Sequence, residues 1–219
     1  LAFVAGATGY TGLALVPVLL QQNYRVVAHI RPDSKRRDYW KTHFESAGAE
    51  PDFTPWVESD LADTFEARQP DLVFALVGTT RARARRASVS GEGANDESYE
   101  RIDYGLTAML IAAAQHCTHL SRFVYLSAIG ASSRSRGAYM KARWRAEEDL
   151  RASDLPYTIA RPALISGSDR EESRALERMG ALSLDLCLSV AAKVGLGGAK
   201  QAYQSITSQG LAEALAHLA

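Results

Sequence analysis

Cysteine is almost missing: 219 residues hold two, Cys117 and Cys187, and no CxxC spacing. That excludes a paired-thiol redox or metal motif and leaves two buried thiols in helical stretches as the expectation. Charge of one sign is missing too. The 25 acidic and 25 basic residues balance, so no global field draws the chain to nucleic acid or to an anionic membrane. No apolar run reaches about 18 residues, so no transmembrane helix is expected. No charged n-region precedes the opening LAFVAG, and the expectation from this is no signal peptide and a reducing cytoplasm. No internal repeat is visible. What remains is ordinary globular composition, 47% hydrophobic and 23% charged, sufficient for one domain with a full core.

The chain alternates. Short apolar or β-branched runs at 1–5, 25–30, 52–57, 71–77, 122–127 and 157–161 read as strands. Helical patterns at 11–22, 35–47, 99–117 and 138–152 lie among them. Strand–helix alternation makes βαβ units, and hence a doubly wound parallel sheet with helices on both faces, an α/β fold. DLVFALV, at 71–77, is apolar almost throughout, as a strand covered on both faces must be. GTTRARARRASVSGEGANDES, 78–98, breaks the rhythm as a long polar loop. Its arginines carry no interleaved aromatic and are followed at once by acids, so nucleic-acid binding is not expected. After Arg161-Pro162 come a polar loop, a mostly apolar helical region at 174–193 and a hinge-like GLGG. The last strand-like piece, 203–206, leads into a helix that Ser208 is placed to cap. The reading is one domain over 1–219, with 166–200 as a small C-terminal substrate lobe.

VAGATGYTGLALVPVLL sets Gly6, Gly9 and Gly12 between the first strand and the first helix. Glycines there permit a tight turn, close approach of the backbone to a pyrophosphate, and tight helix–strand packing. The helix N-terminus then presents N–H groups and a positive dipole end to phosphate oxygens. Thr8, Tyr10 and Thr11 share that loop. The second strand, RVVAHI, is followed by Arg31, with Lys35, Arg36 and Arg37 close behind. An acid at this point would bind the ribose 2′-OH of NAD, whereas arginine accommodates a 2′-phosphate. NADP(H) is therefore expected over NAD(H), with Arg31 and Arg36 at the phosphate.

GATGYTG resembles the extended and atypical branches of the short-chain dehydrogenase/reductase superfamily. The resemblance implies a Rossmann fold binding NAD(P)(H) and a substrate lobe made from C-terminal insertions. It also implies that Asp60-Leu61 of ESDLAD lies beside the adenine, and that Gly78, Thr79 and Thr80 of ALVGTT meet the cofactor where a missing side chain at Gly78 lets the backbone approach. ALVGTTR, YERIDY, FVYLSAIGA, Arg161-Pro162 and DREESR together resemble the Tat-interacting-protein-like and NmrA-like branch. By that resemblance Pro162, Ala163 and Leu164 edge the nicotinamide site.

In this superfamily a serine and a tyrosine hold the substrate carbonyl oxygen, and a lysine four residues past the tyrosine helps lower its pKa. Ser127 ends RFVYLS and matches the serine; Tyr139 of GAYMKARWRAEE matches the tyrosine. The lysine position is Arg143, which shares a helix face with Tyr139 while Lys141 points elsewhere. Arginine keeps its charge and can hydrogen-bond a ribose hydroxyl, but does not usefully release a proton. Ser127, Tyr139 and Arg143 are thus the catalytic candidates, with Arg143 also on the cofactor. Two functions stay open: an NADP(H)-dependent oxidoreductase acting on a small carbonyl or hydroxyl compound, and a non-catalytic NADP(H)-binding redox sensor or regulator. A third, a nucleotide-sugar epimerase, shares the glycine loop but leaves little room for a sugar-nucleotide lobe. A homodimer through the helices at 99–117 and 138–152, or a regulatory protein partner, is the remaining expectation.

Overall fold

A computed structural model describes residues 1–79, 99–162, 165–166 and 206–219. Thr80, Ala163, Leu164, Cys187, the polar loop from 80 to 98 and most of the expected substrate lobe lie outside the described residues. The elements run β1 (Ala2–Ala5), α1 (Tyr10–Gln21), β2 (Val26–His29), α2 (Arg37–Ala47), β3 (Glu50–Asp52), α3 (Glu58–Arg68) and β4 (Leu72–Ala75). A π-helical turn (Glu100–Gly105) then opens α4 (Leu106–Ala114). β5 (Arg122–Leu126), α5 (Ala138–Ala152), β6 (Tyr157–Ala160), β7 (Ile165–Ser166), β8 (Ile206–Thr207) and α6 (Ser208–His217) complete the chain.

Six strands form one parallel sheet in the order β3-β2-β1-β4-β5-β6. β1 (AFVA) and β4 (LVFA) are buried at every residue, because both sheet faces are covered. Alternation of side chains sends Ala2 and Val4 to a core with Leu15, Val16 and Leu19 of α1 and Leu211 and Leu215 of α6. Phe3 and Ala5 face the opposite core, with Leu61 and Phe65 of α3, Leu110 of α4 and Leu150 of α5. The strand order reverses between β1 and β4, and a doubly wound sheet binds ligands outside the carboxyl ends of its strands at that point.

Two expectations need correction. The strand expected at 52–57 is only Glu50–Asp52, pairing with β2 at the sheet edge, where Pro51 costs no ladder hydrogen bond. Asp52 ends it by turning the chain: its carboxylate accepts from the Thr54 N–H at 3.1 Å and the Thr54 hydroxyl at 3.1 Å. Helix α3 then fills a stretch that had no predicted element, because only Leu61 and Phe65 of ESDLADTFEAR are buried. The C-terminal helix is capped by Thr207, not Ser208; the Thr207 hydroxyl accepts from the Gly210 N–H at 3.1 Å. The short β7 pairs with β8, joining Ile165 to Ile206.

Candidate cofactor and catalytic site

The glycine loop leaves β1 with Gly6 at φ +87°, a left-handed conformation that a side chain resists. A Cβ on Gly6 would also stand 2.9 Å from the Leu76 carbonyl carbon, so β1 and β4 close on each other here. Gly12 is a packing position: its Cβ would collide with the Gly6 carbonyl and come 2.7 Å from the Ala7 Cα. Gly9 is different. It is the N-cap of α1, offers no side-chain cap, and a Cβ there would meet only the Gly6 oxygen, at 3.1 Å. Gly9 is exposed at the N-terminus of α1, beside the strand reversal, and a helix N-terminus there fits a pyrophosphate. Thr11 is buried at the start of the helix.

At the end of β2, Arg31 is half-exposed and forms a loose ion pair with Asp33 at 3.7 Å. The Arg36 guanidinium lies 4.2 Å from the Tyr39 ring centroid and 4.7 Å from that of Trp40, and Arg37 lies over Phe53 at 4.5 Å. Three arginines thus stand around the β2–α2 turn, two of them seated on aromatic faces. Beneath them His29 is buried, bonds the Thr54 carbonyl oxygen at 2.8 Å through Nε2, and packs edge-on against Trp56. Burial holds its pKa below the usual value, against the pull of that bond and of Asp52. Asp60 sits in the first turn of α3 and accepts from the Ser59 hydroxyl at 3.1 Å. Leu61 is fully buried, so its side chain belongs to the core.

The other half of the site lies past β4. Arg143 is buried, and its guanidinium pairs with the Asp103 carboxylate at 2.8 Å and donates to the Leu126 carbonyl at 2.9 Å. It also reaches the Tyr125 hydroxyl at 3.4 Å and lies 5.2 Å from the Tyr139 ring centroid. Burial works against the arginine's charge, but Tyr125, Tyr139 and Asp103 more than offset it and keep the group charged. Burial pushes the Asp103 carboxyl above its usual range, while Arg143 and the Thr79 N–H pull it back. Thr79 N–H donates to both Asp103 oxygens, at 3.3 and 3.1 Å. The ion pair therefore ties the chain after β4 to α5. It also gives Gly78 its reason: a Cβ would overlap the Arg143 guanidinium and stand 3.1 Å from Asp103.

Tyr139 is half-buried at the start of α5 and packs edge-on against Tyr99, with centroids 5.4 Å apart. Ser127 is buried, and its hydroxyl donates to Glu147 at 2.5 Å. Glu147, fully buried, also accepts from Arg151 at 2.8 Å and from Arg161 through Nε at 2.8 Å and a second nitrogen. Burial pushes the Glu147 carboxyl up, but the bonds from Arg161, Ser127 and Arg151 prevail and lower its pKa. Pro162 lies at the end of β6, its carbonyl accepting from the Ile129 N–H at 3.0 Å. Ser127, Tyr139 and Arg143 thus lie in one polar seam between β5 and α5, although Ser127 and Arg143 are each engaged by an acid that sequence reasoning did not assign to the site. The spacing carried a signal: Tyr139, Arg143, Glu147 and Arg151 recur every fourth residue alongside the buried Ala142, Ala146 and Leu150, so polar groups share the inward face. Cys117 is partly buried, and burial pushes its thiol up to about 11, an unreactive state. Among the described residues no cluster of acids, histidines and cysteines could hold a metal, and no helix is long and apolar enough to cross a membrane.

The fold, the strand order and the glycine loop are those of a Rossmann-type α/β protein that binds a nicotinamide nucleotide. The chain belongs to the NAD(P)H-binding family, whose model matches residues 6–183. It is 29% identical over 177 residues to Protein FMP52-1, mitochondrial, of Scheffersomyces stipitis, covering 80% of this chain and 71% of that one. It is 33% identical over 179 residues to Protein fmp52, mitochondrial, of Aspergillus clavatus, covering 78% and 69%. Protein TIC 62, chloroplastic, of Oryza sativa subsp. japonica is 28% identical over 176 residues, 74% of this chain but 34% of that protein. Among solved structures, the Bordetella bronchiseptica enzyme WbmH in complex with NAD+ superposes with a TM-score of 0.65 at 14% identity, over 99% of this chain and 70% of that one. AtPrR2 with NADP+ and (+)pinoresinol superposes at 0.55 with 16% identity, over 75% and 50%. The structural likenesses carry the fold, and the family match carries a nicotinamide cofactor; one of these neighbours holds NAD+ and the other NADP+. The expected cytoplasmic location does not stand, because the FMP52 relatives are named mitochondrial and TIC 62 chloroplastic.

Proposed function

We propose that the protein is an NADP(H)-dependent oxidoreductase that reduces a small carbonyl compound, with Tyr139 as its proton donor. The observation that carries it is the placement of the charged Arg143 against the Gly78–Thr79 exit of β4, with the Tyr139 ring 5.2 Å from its guanidinium, across the strand reversal from the glycine loop. The bound cofactor supplies the hydride. The protein's share is to hold the pyrophosphate on the first turn of α1, to seat the 2′-phosphate among Arg31 and Arg36, and to deliver a proton from the Tyr139 hydroxyl. Arg143 Nε is buried and, among the described residues, without a partner; a ribose hydroxyl satisfies it. A panel of aldehydes and ketones with NADPH tests the reading. Turnover is expected in the wild type and its loss in Tyr139→Phe, with NADPH affinity unchanged; turnover that survives Tyr139→Phe sinks the assignment.

A second reading, a non-catalytic NADP(H)-binding sensor that docks on a regulatory partner, is favoured by one specific observation. The Ser127 hydroxyl donates its hydrogen bond to Glu147, and Asp103 balances the charge of Arg143. Under this reading no member of the panel turns over while NADPH still binds.

A further inference from the structure

We infer that Ser127 is a positioning residue: through Glu147 it fixes Arg161 and the exit of β6 at Pro162, and so the nicotinamide edge of the cofactor site, rather than donating to substrate. The inference rests on the cofactor reading above. A hydroxyl has one proton to give, and that of Ser127 goes to the Glu147 carboxylate 2.5 Å away. Three donor groups converge on this fully buried acid, Ser127, Arg151 and Arg161. A carboxylate so surrounded is ionised and can only accept, so the direction of the Ser127 bond is fixed.

What the acid holds is the sheet's carboxyl edge. Ser127 N–H donates to the Ala160 carbonyl at 2.8 Å and Ile129 N–H to the Pro162 carbonyl at 3.0 Å. The backbones leaving β5 and β6 are therefore joined on both sides of Arg161. The side chains repeat the tie, since Ser127 and Arg161 end on the same carboxylate. Each charge is matched: Arg161 and Arg151 face Glu147, and Arg151 also faces Glu148 at 2.5 Å. No net charge is left over to bind an anion, which makes the cluster a brace and not a ligand site. Pulling out any member loosens the Pro162 exit while leaving the glycine loop and the β2–α2 turn untouched, because among the described residues the cluster's bonds reach neither.

The experiment compares NADPH with 2′,5′-ADP, which carries the adenine end without the nicotinamide, by titration calorimetry on the purified chain. Ser127→Ala and Glu147→Gln are expected to weaken NADPH by about threefold and about tenfold, while 2′,5′-ADP stays within about twofold. Arg161→Met should behave like Glu147→Gln, and Arg161→Lys should recover part of the loss. A serine that donated to substrate would leave NADPH affinity intact in Ser127→Ala, and that result overturns the inference. Parallel loss of both ligands, a general loosening of the fold, overturns it as well. Ser127→Ala removes a single oxygen and decides the matter even where Glu147→Gln fails to fold. A wild type that binds neither ligand brings down the cofactor reading along with the inference, whereas normal wild-type binding with either adverse pattern brings down the inference alone.

Discussion

Gly78 and Arg143 share one space: the volume that a Cβ on Gly78 would take is filled by the Arg143 guanidinium. The arginine cannot step aside cheaply, because Asp103 and the Leu126 carbonyl hold two of its nitrogens. Gly78→Ala is therefore expected to lower stability by roughly 1–3 kcal/mol, the usual cost of overpacking a filled interior. Gly78→Ala in an Arg143→Ala background should cost far less, and the difference is read from urea melts of the four proteins. Additive losses would show that the two positions do not meet.

His29 makes stability depend on pH. Its pKa in the folded protein is lowered by burial, with the Thr54 bond and Asp52 opposing. The unfolded chain then binds a proton at a higher pH than the folded one. Stability is fully present above the unfolded value of about 6.5 and declines as pH falls below it, by up to about 1.4 kcal/mol per pH unit from this residue. Chemical melts between pH 7.5 and 5 should show the decline, and His29→Gln should flatten it. An equal slope in the variant would assign the titration to another group.

Much of this molecule is legible in its sequence, and the parts that are not share a cause. The glycine loop, the buried strands β1 and β4 and helix α5 are written in contiguous residues, whose periodicity carries the information locally. Helix α3 was hidden because two buried residues, Leu61 and Phe65, give too little pattern. The acids that engage Ser127 and Arg143 were hidden for a different reason. Asp103 lies 40 residues from Arg143, and Glu147 lies 20 from Ser127; only the topology brings them together. Sequence spacing therefore singled out Ser127, Tyr139 and Arg143 as candidates, but not the acids that engage two of them.

The proposed preference for NADPH rests on the β2–α2 turn. Arg36 is held over Tyr39 and Trp40, so its guanidinium is placed before a ligand arrives, and preorganised charge costs less to use. NADPH is expected to bind more tightly than NADH. Arg31→Ala and Arg36→Ala should each narrow the gap by weakening NADPH alone, about tenfold for one charged contact. Trp40→Leu should produce a smaller loss with the same selectivity. Fluorescence titration of both cofactors decides it, and equal affinities in the wild type would falsify the assignment.

The strongest single substitution is expected at Asp103. Its carboxylate is fully buried, faces Arg143 at 2.8 Å, and accepts the Thr79 N–H with both oxygens. Asp103→Asn keeps the shape and removes the charge, leaving Arg143 buried without a counter-ion, a loss of about 3–5 kcal/mol. Removing both charges is a different matter. Asp103→Asn with Arg143→Met takes away the stranded cation and should recover most of that loss, because a well-packed neutral pair replaces a buried ionic one at little cost. The double variant should nevertheless bind NADPH more weakly than the wild type, since the Gly78–Thr79 exit is no longer tied to α5. Urea melts give the first comparison and cofactor titration the second. A double variant less stable than Asp103→Asn alone would mean that Arg143 stabilises the seam through Tyr125 and Leu126 and not through its acid.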